Sequence, residues 1–566
     1  MNFRLKNDFY LFFILIVLYL IIPLTCSPNF DHPNVDFKLL IYSVSLLGLI
    51  LFGFKRKTKF YFYPNIFILL YILGYIFSSQ FAQNLHRLFL FQGLFFANAI
   101  LCLILPVQKK EDSFKYLHFI CIGQLIPSLI IIINAYGFEI LNFIGNAAFP
   151  SGTYAYKSVV GHVVCLVAPL SLGMSIYKKN HFSSLFYWVI FSLTFSSSIV
   201  SHTRAGIYGL TLGSIILVLL FVFSNFSKFL REISKKKVMI FISKLLILIF
   251  FIGISYLSYF YPKNDSEYQQ YYINQNKVIT KFKKAMGWRR YRWINSIYLA
   301  QENVNGIGAG QFRIIYPLYH MSKAPDLESR SIYRPDNPHN LYIEILCEGG
   351  IISFIGFMGL LIFILFISIK SYILGRDRLW QSIVLGTMAS FMFVATFTYP
   401  LARPTASIIF WSFVAIVFHK HYENKEYVYH KELNLLKFGF ILFALLAAFY
   451  LFKVSAVSYL TTTARNATDD QVKLARYELA YKFSPDYYRL SMYYARFLRK
   501  YDFPKAIRVL ENAVKGSPNF YEARFELARL LALKGKKQKA IFQCQQILDV
   551  WPRHEGAKWL LKRVQR

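Results

Sequence analysis

Acidic residues are scarce in this chain of 566 residues: 29 Asp and Glu stand against 64 Lys and Arg, a formal net charge of +35. Charged residues of both signs make up only 16%, against roughly 25% in soluble domains. With 56% of the chain hydrophobic and a mean hydropathy of +0.39, a wholly soluble protein is excluded. Cysteine is sparse and scattered, at positions 26, 102, 121, 165, 347 and 544, with no CxxC or CxxH. Most of these lie in apolar runs and are expected to be packing residues. No metal-ligand spacing is visible, so neither a metal nor a cofactor is expected. No nucleic-acid motif accompanies the basic residues, which fall in short clusters between apolar runs. Their charge is assigned to loops that meet anionic lipid, with no nucleic-acid partner. The first apolar run lacks a small-residue cleavage site and is expected to be retained as a span.

What the chain has is apolar length. Segments of about 17–22 residues, enough to cross a bilayer as helix, lie near 9–26, 37–54, 60–80, 87–106, 115–135, 158–177, 182–200, 205–224, 239–260, 350–370, 380–399, 404–419 and 435–455. They predict about 12–13 spans. Basic clusters at Lys55-Arg56-Lys57, Lys109-Lys110, Lys178-Lys179, Lys228 to Lys237 and Arg376 to Arg378 each follow an even-numbered span, counted from a cytoplasmic N-terminus. Basic residues favour the cytoplasmic side. The loops 27–36, 81–86, 136–157, 201–204, 261–349 and 400–403, and everything after about 456, are therefore expected on the outer face. Segment 261–349 is too long for a connector and is expected to be functional. Arginine dominates on the outer face, at Arg204, Arg289, Arg290, Arg292, Arg313, Arg330, Arg334 and Arg403. Its planar fork suits bidentate contact with phosphate; surface or headgroup contact is the plainer role for many of them.

From about Asp469 the composition turns polar, with an internal period. Ala480 and Ala513, Ser484-Pro485 and Ser517-Pro518, and Ala495-Arg496 and Ala528-Arg529 are 33 residues apart; Ala506 and Ala540, and Pro518 and Pro552, are 34 apart. This resembles tetratricopeptide (TPR) repeats, about two and a half of them. Such helix pairs bind a protein partner or pack against the large loop. The expected fold is all-α: a polytopic transmembrane helical bundle followed by a C-terminal α-solenoid. Its expected divisions are 1–260, an N-terminal membrane bundle; 261–349, the outer loop; 350–455, the C-terminal spans; and 469–566, the repeats.

Three segments carry polar chemistry. In Asp336 to Gly350, Asn337 suits an N-cap, Pro338 the first helical position, and Gly349-Gly350 a helix exit. The expectation is a short polar-faced helix with His339 in its first turn. Free N–H groups and a positive dipole end there favour an anion and a neutral imidazole. Asn340, Glu344 and Glu348 would share one face. In 198–210, Arg204 stands where one span ends and the next begins, a costly depth unless it snorkels or has a partner. His202 beside it contacts either the interface or a phosphate. In 287–312, a helix with Arg289, Arg292 and Trp293 precedes Gly306-Ile307-Gly308-Ala309-Gly310. No strand or βαβ pattern surrounds those glycines, so they are expected to form a tight backbone turn rather than a nucleotide loop. His162 is a further candidate, and Asp326, Glu328 and Asp336 are alternative bases.

Together, the Arg204 junction, the Arg289 helix with its glycine turn, and His339-Asn340 ahead of Gly350 resemble the O-antigen ligase and O-antigen polymerase superfamily over roughly 140–420. The ligase pattern is His, then Asn or Ser, nine residues, then Gly-x-x-Gly. His339, Asn340 and Gly350 match it, and Ser353 stands at the last glycine. In the companion pattern Arg-x-x-x-Leu, Arg204 is followed by Tyr208, with Leu210 beyond. The resemblance implies a GT-C-like helical architecture and a metal-independent, inverting glycosyltransferase. It implies a glycan donor on undecaprenyl diphosphate, and a multi-pass protein of the bacterial inner membrane with a periplasmic loop and periplasmic repeats. The acceptor is lipid A-core in ligases, another glycan in polymerases, and a protein in O-oligosaccharyltransferases; the ligase type is the expectation. On that basis Arg204 and Arg289 bind the diphosphate and His339 takes or orients the acceptor proton. Asn340, Arg292, Glu344, Arg403 and His202 would line the substrates. A lipid-linked glycan transporter is the non-enzymatic alternative. It requires ionisable residues along a membrane path and repeated halves, and the sequence has neither.

Overall fold

The computed structural model describes residues 15–30, 35–55, 66–104, 110–138, 151–154, 156–231, 235–258, 278–319, 335–422, 434–552 and 554–566. Among these residues every regular element is a helix. Apolar runs of this length leave no alternative in lipid, where a helix alone satisfies each backbone N–H and C=O within its own segment. Among the described residues eight helices are long and apolar enough to cross a membrane: Lys115–Ala135, Lys157–Tyr177, His181–Val200, Arg204–Ser224, Val238–Leu257, Leu341–Ile373, Arg378–Phe397 and Leu442–Asn466. Four more of the expected spans are the helices Asp36–Lys55, Ile66–Ser78, Leu85–Ile104 and Pro404–Tyr422. The first expected span, 9–26, begins outside the described residues. Arg56, Lys57, Lys109, Asp326, Glu328, Arg330 and Arg334 also lie outside them.

Two helices form the centre of the bundle. Every residue from Val159 to Ser175, and every one from Pro404 to His419, is buried. A helix that is apolar all round belongs inside. Close approach elsewhere depends on small residues: a Cβ on Gly213 would lie 2.4 Å from the carbonyl oxygen of Gly386, so Arg204–Arg231 and Arg378–Phe397 meet backbone to backbone.

The last expected span, 435–455, belongs to a longer helix, Asn434–Asn466, that runs on towards the repeats. Its continuation is anchored: Ser455 Oγ donates to Asp36 O at 2.8 Å, and Ser458 Oγ to Asp36 Oδ2 at 2.5 Å. Asp469 then caps a new helix, accepting from Gln471 N at 2.7 Å. The solenoid helices are Asp470–Phe483, Tyr488–Leu498, Phe503–Gly516, Tyr521–Leu533, Lys537–Val550 and Glu555–Gln565. The periodic alanines Ala480, Ala506, Ala513, Ala528 and Ala540 are fully buried, letting paired helices approach closely.

Candidate active site

Leu341–Ile373 is one helical run with a break at Gly350, where φ is +72° and ψ −174°. A break frees carbonyls that need donors, and the glycine turn supplies them. Ile307 N donates to Cys347 O at 2.9 Å and Gly308 N to Glu348 O at 3.0 Å, while Ile351 N returns to Val304 O at 2.9 Å. A Cβ on Gly306 would sit 2.5 Å from Glu348 O, and one on Gly350 2.5 Å from Asn305 C, so both positions exclude a side chain. Glu348 completes the joint, its carboxylate accepting from Gly310 N at 2.8 Å and Phe312 N at 3.0 Å. The expected turn and the expected helix exit are thus two halves of one joint. Ser353, at the place of the pattern's last glycine, donates to Tyr71 O at 2.9 Å.

The start of this helix differs from expectation. Asn340, not Asn337, is the N-cap: its Oδ1 accepts from Tyr342 N at 3.0 Å and Ile343 N at 3.1 Å. Asn337 instead accepts from His339 N at 3.0 Å. His339 therefore precedes the cap, with φ +55°, rather than occupying the first turn. Trp293, one turn beyond Arg289, holds this loop by donating from Nε1 to Pro338 O at 3.1 Å. Left-handed backbone at a non-glycine residue is strained and needs such support.

His339 is half-buried, and the burial, together with Arg292 and Arg289, pushes its pKa down to about 3; Asp336 opposes the shift. The imidazole is neutral at physiological pH, for reasons of burial and neighbouring charge rather than a helix dipole. Arg289 is itself held below its ordinary value by burial, then by Arg292 and Arg204. Arg204 is exposed at the start of its helix, and Lys157 lies within electrostatic reach of it. Residues from three separate stretches, Arg204, Arg289 with Arg292, and His339, are thus brought into one electrostatic neighbourhood.

A second group lies near the His339 ring. Tyr399 lies 5.4 Å from it, ring to ring, and 5.5 Å from His162, which is fully buried. The Arg403 guanidinium stacks over Tyr156 at 5.5 Å and over Tyr399 at 5.7 Å. Glu344 is buried, within reach of the charges on Arg403, Asp336 and Arg87. His202, at φ +54°, is half-buried in the turn before Arg204. Asp336 is half-exposed and bound by arginines: Arg313 Nη1 is 2.7 Å and Arg87 Nη2 3.8 Å from its Oδ1. Burial alone would raise the Asp336 carboxyl, but Arg87, Arg313 and Arg403 more than offset it and hold it below its ordinary value. A carboxylate so engaged is a poor proton acceptor.

Arg87, Tyr399 and Tyr156 were not legible as site residues in the sequence. Arg87 had a usable signal: Leu85-His86-Arg87 opens an apolar span, and a charge at that depth calls for a partner. It has one in Gly310, whose carbonyl accepts from Arg87 Nε at 2.6 Å.

A family described as O-Antigen ligase matches residues 189–358. That segment holds Arg204, Arg289, Arg292, His339, Asn340 and Glu344; Arg403 and His162 fall outside it. No curated protein is matched. Among solved structures, the "Crystal structure of APC/C hetero-tetramer Cut9-Hcn1" aligns over 83% of this chain and 87% of that chain, at 15% identity and a TM-score of 0.19.

Proposed function

We propose that this chain, whose residues 189–358 match the O-antigen ligase family, transfers a glycan from a polyprenyl-diphosphate carrier to an acceptor hydroxyl. The carrier is undecaprenyl diphosphate, the acceptor lipid A-core, and the site opens on the periplasmic face of the inner membrane. One juxtaposition supports this reading: Arg292 and Arg289 lie within electrostatic reach of an imidazole that its burial and their charge keep neutral, and Arg204 lies within reach of Arg289.

The chemistry asks for two things, an acceptor for a proton and a stabiliser for a leaving diphosphate. The acceptor oxygen forms a bond to the anomeric carbon as the bond from that carbon to the diphosphate oxygen breaks. The bonding pair leaves with the diphosphate, whose growing charge the three guanidinium groups balance without a metal. The hydroxyl proton passes to His339. Attack from the His339 side on a carbon whose leaving group lies toward the arginines inverts the anomeric centre. The donor also prepares the base. Burial, the larger cause of the imidazole's lowered proton affinity, persists, but a diphosphate among the arginines cancels the repulsion from Arg292 and Arg289, so His339 gains basicity when there is a donor to use. Arg403, Glu344 and Asn340 then line the acceptor side, and His202 the turn beside Arg204.

The family includes polymerases as well as ligases, and deleting the gene separates them. A ligase-deficient cell accumulates polymer still attached to its carrier, the expected outcome; a polymerase-deficient cell makes single-repeat products. Loss of glycan from proteins alone would instead mark a protein acceptor.

A further inference from the structure

Two corners of the repeat solenoid close on two adjoining segments of the membrane half, around Asn84 to Arg87 and at Ile314. At the first corner, Asp486 Oδ2 accepts from His86 N and Asp486 O from Asn84 Nδ2, each at 2.9 Å. Ser484 Oγ lies 3.0 Å from His86 Nδ1, and the His86 ring stacks on Tyr487 at 4.0 Å. At the second corner, Ser517 Oγ accepts from Asn84 Nδ2 at 2.9 Å, and Asn519 Nδ2 donates to Ile314 O at 2.7 Å. Ser484 and Ser517, and Asp486 and Asn519, are equivalent positions of the repeat, 33 residues apart. The same structural unit is used twice, on adjoining parts of one surface.

That surface leads directly to the site. Gln311 ties the two membrane-half contacts together, accepting from Asn84 N at 2.9 Å and donating to Asn84 O at 2.9 Å. Arg87 holds Gly310 O, and Arg313 stacks over Tyr488 of the repeats at 5.7 Å. Both arginines then converge on Asp336. Asp336 lies three residues before His339, in the loop whose left-handed turn presents the imidazole. A continuous chain of polar contacts therefore runs from the repeat corners to the loop that carries the base.

We propose that the docked repeat domain is a positioning element of the transfer site, fixing Asp336 and the His339 loop through Asn84–Arg87 and Arg313. This rests on the transfer reading above, and it gives the repeats a role other than recruitment. Asp486 and Asn519 act through other residues and touch no substrate. A displacement of about 1 Å at a reacting group costs up to roughly 100-fold in rate, so a loosened dock should appear in turnover. Donor binding, which belongs to Arg204, Arg289 and Arg292, should be spared.

The test uses the full-length chain carrying Asp486→Ala with Asn519→Ala, both partly exposed corner residues. Transferred glycan is measured in a gene-deleted strain complemented with each variant, and undecaprenyl diphosphate binding is measured on the purified protein. The expected result is transfer reduced roughly 10- to 100-fold with undecaprenyl diphosphate affinity within about twofold of the parent, one site being left untouched by a change at the other. Asp486→Asn, which keeps an accepting oxygen, should restore most of the transfer in the single-site background. Phe542→Ser, on an exposed face of the repeats, should leave it unchanged. Undiminished transfer in the double variant overturns the proposal. So does equal loss of transfer and binding, which would mean that the dock merely holds the protein together. If the Arg289→Ala and His339→Ala variants also retain full transfer, the transfer reading itself falls. If they are inactive while the dock variants are not, only the positioning role falls.

Discussion

Replacing His339 by alanine should lower glycan transfer by about 10²–10⁴-fold, the usual contribution of a positioned proton acceptor, with expression and donor binding intact. The imidazole is held by a turn that Asn337 and Trp293 brace on either side, and neither contact uses the His339 side chain. Its removal therefore takes away a reacting group without dismantling the loop. The pH dependence provides an independent check. Burial, Arg292 and Arg289 hold the His339 pKa at about 3, far below its ordinary value. The neutral form, the one able to take a proton, then persists as pH falls through 6.5 and is lost only well below it. The rate at low donor concentration reports the free enzyme, so its acid limb should lie below about pH 5. At saturating donor the diphosphate offsets the arginines, and the limb of kcat should move upward towards the ordinary histidine range near 6.5. Coincident limbs near pH 6.5 under both conditions would show that the imidazole does not feel the arginines.

Replacing Arg289 by alanine should lower transfer by about 10²–10³-fold, as removal of one preorganised charge-stabilising donor does elsewhere. Arg204→Ala should act in the same direction. Arg289 is surrounded by like charge from Arg292 and Arg204 and is partly withdrawn from water. A diphosphate bound there would relieve that like-charge repulsion. The two losses should combine to less than their product, because both side chains serve one diphosphate. Lysine at 289 should recover only part of the activity, since a point charge cannot grip two oxygens as a guanidinium does. Undecaprenyl diphosphate titrated into the purified variants measures the binding part, and initial transfer rates measure the remainder. Unchanged affinity and unchanged rate in Arg289→Ala would remove the diphosphate from this position.

The membrane helices were legible because apolar length is a strong signal, and the solenoid was legible because Ala480, Ala513, Pro518 and Pro552 recur at the spacing of paired helices. The tight turn at Gly306 to Gly310 and the helix break at Gly350 were each legible from their glycines, although their pairing was not. The helix start was misplaced because Asn337 and Asn340 are equally good caps in sequence. Tertiary contacts decide between them: Trp293 fixes Pro338, and His339 takes the left-handed turn that brings Asn340 to the cap. Arg87, Tyr399 and the repeat dock were hidden for another reason. Each joins segments hundreds of residues apart, such as Asn84 with Ser517, and a linear pattern carries no mark of such a meeting.

The central claim is that a glycosidic bond to the carrier is broken here and remade on an acceptor. The direct measurement places the purified protein in vesicles with undecaprenyl-diphosphate-linked glycan and an acceptor membrane extract, then follows the carrier. Release of free undecaprenyl diphosphate in step with glycan appearing on the acceptor, abolished in His339→Ala, is the predicted result. Movement of intact lipid-linked glycan between leaflets, with no carrier released, would contradict it.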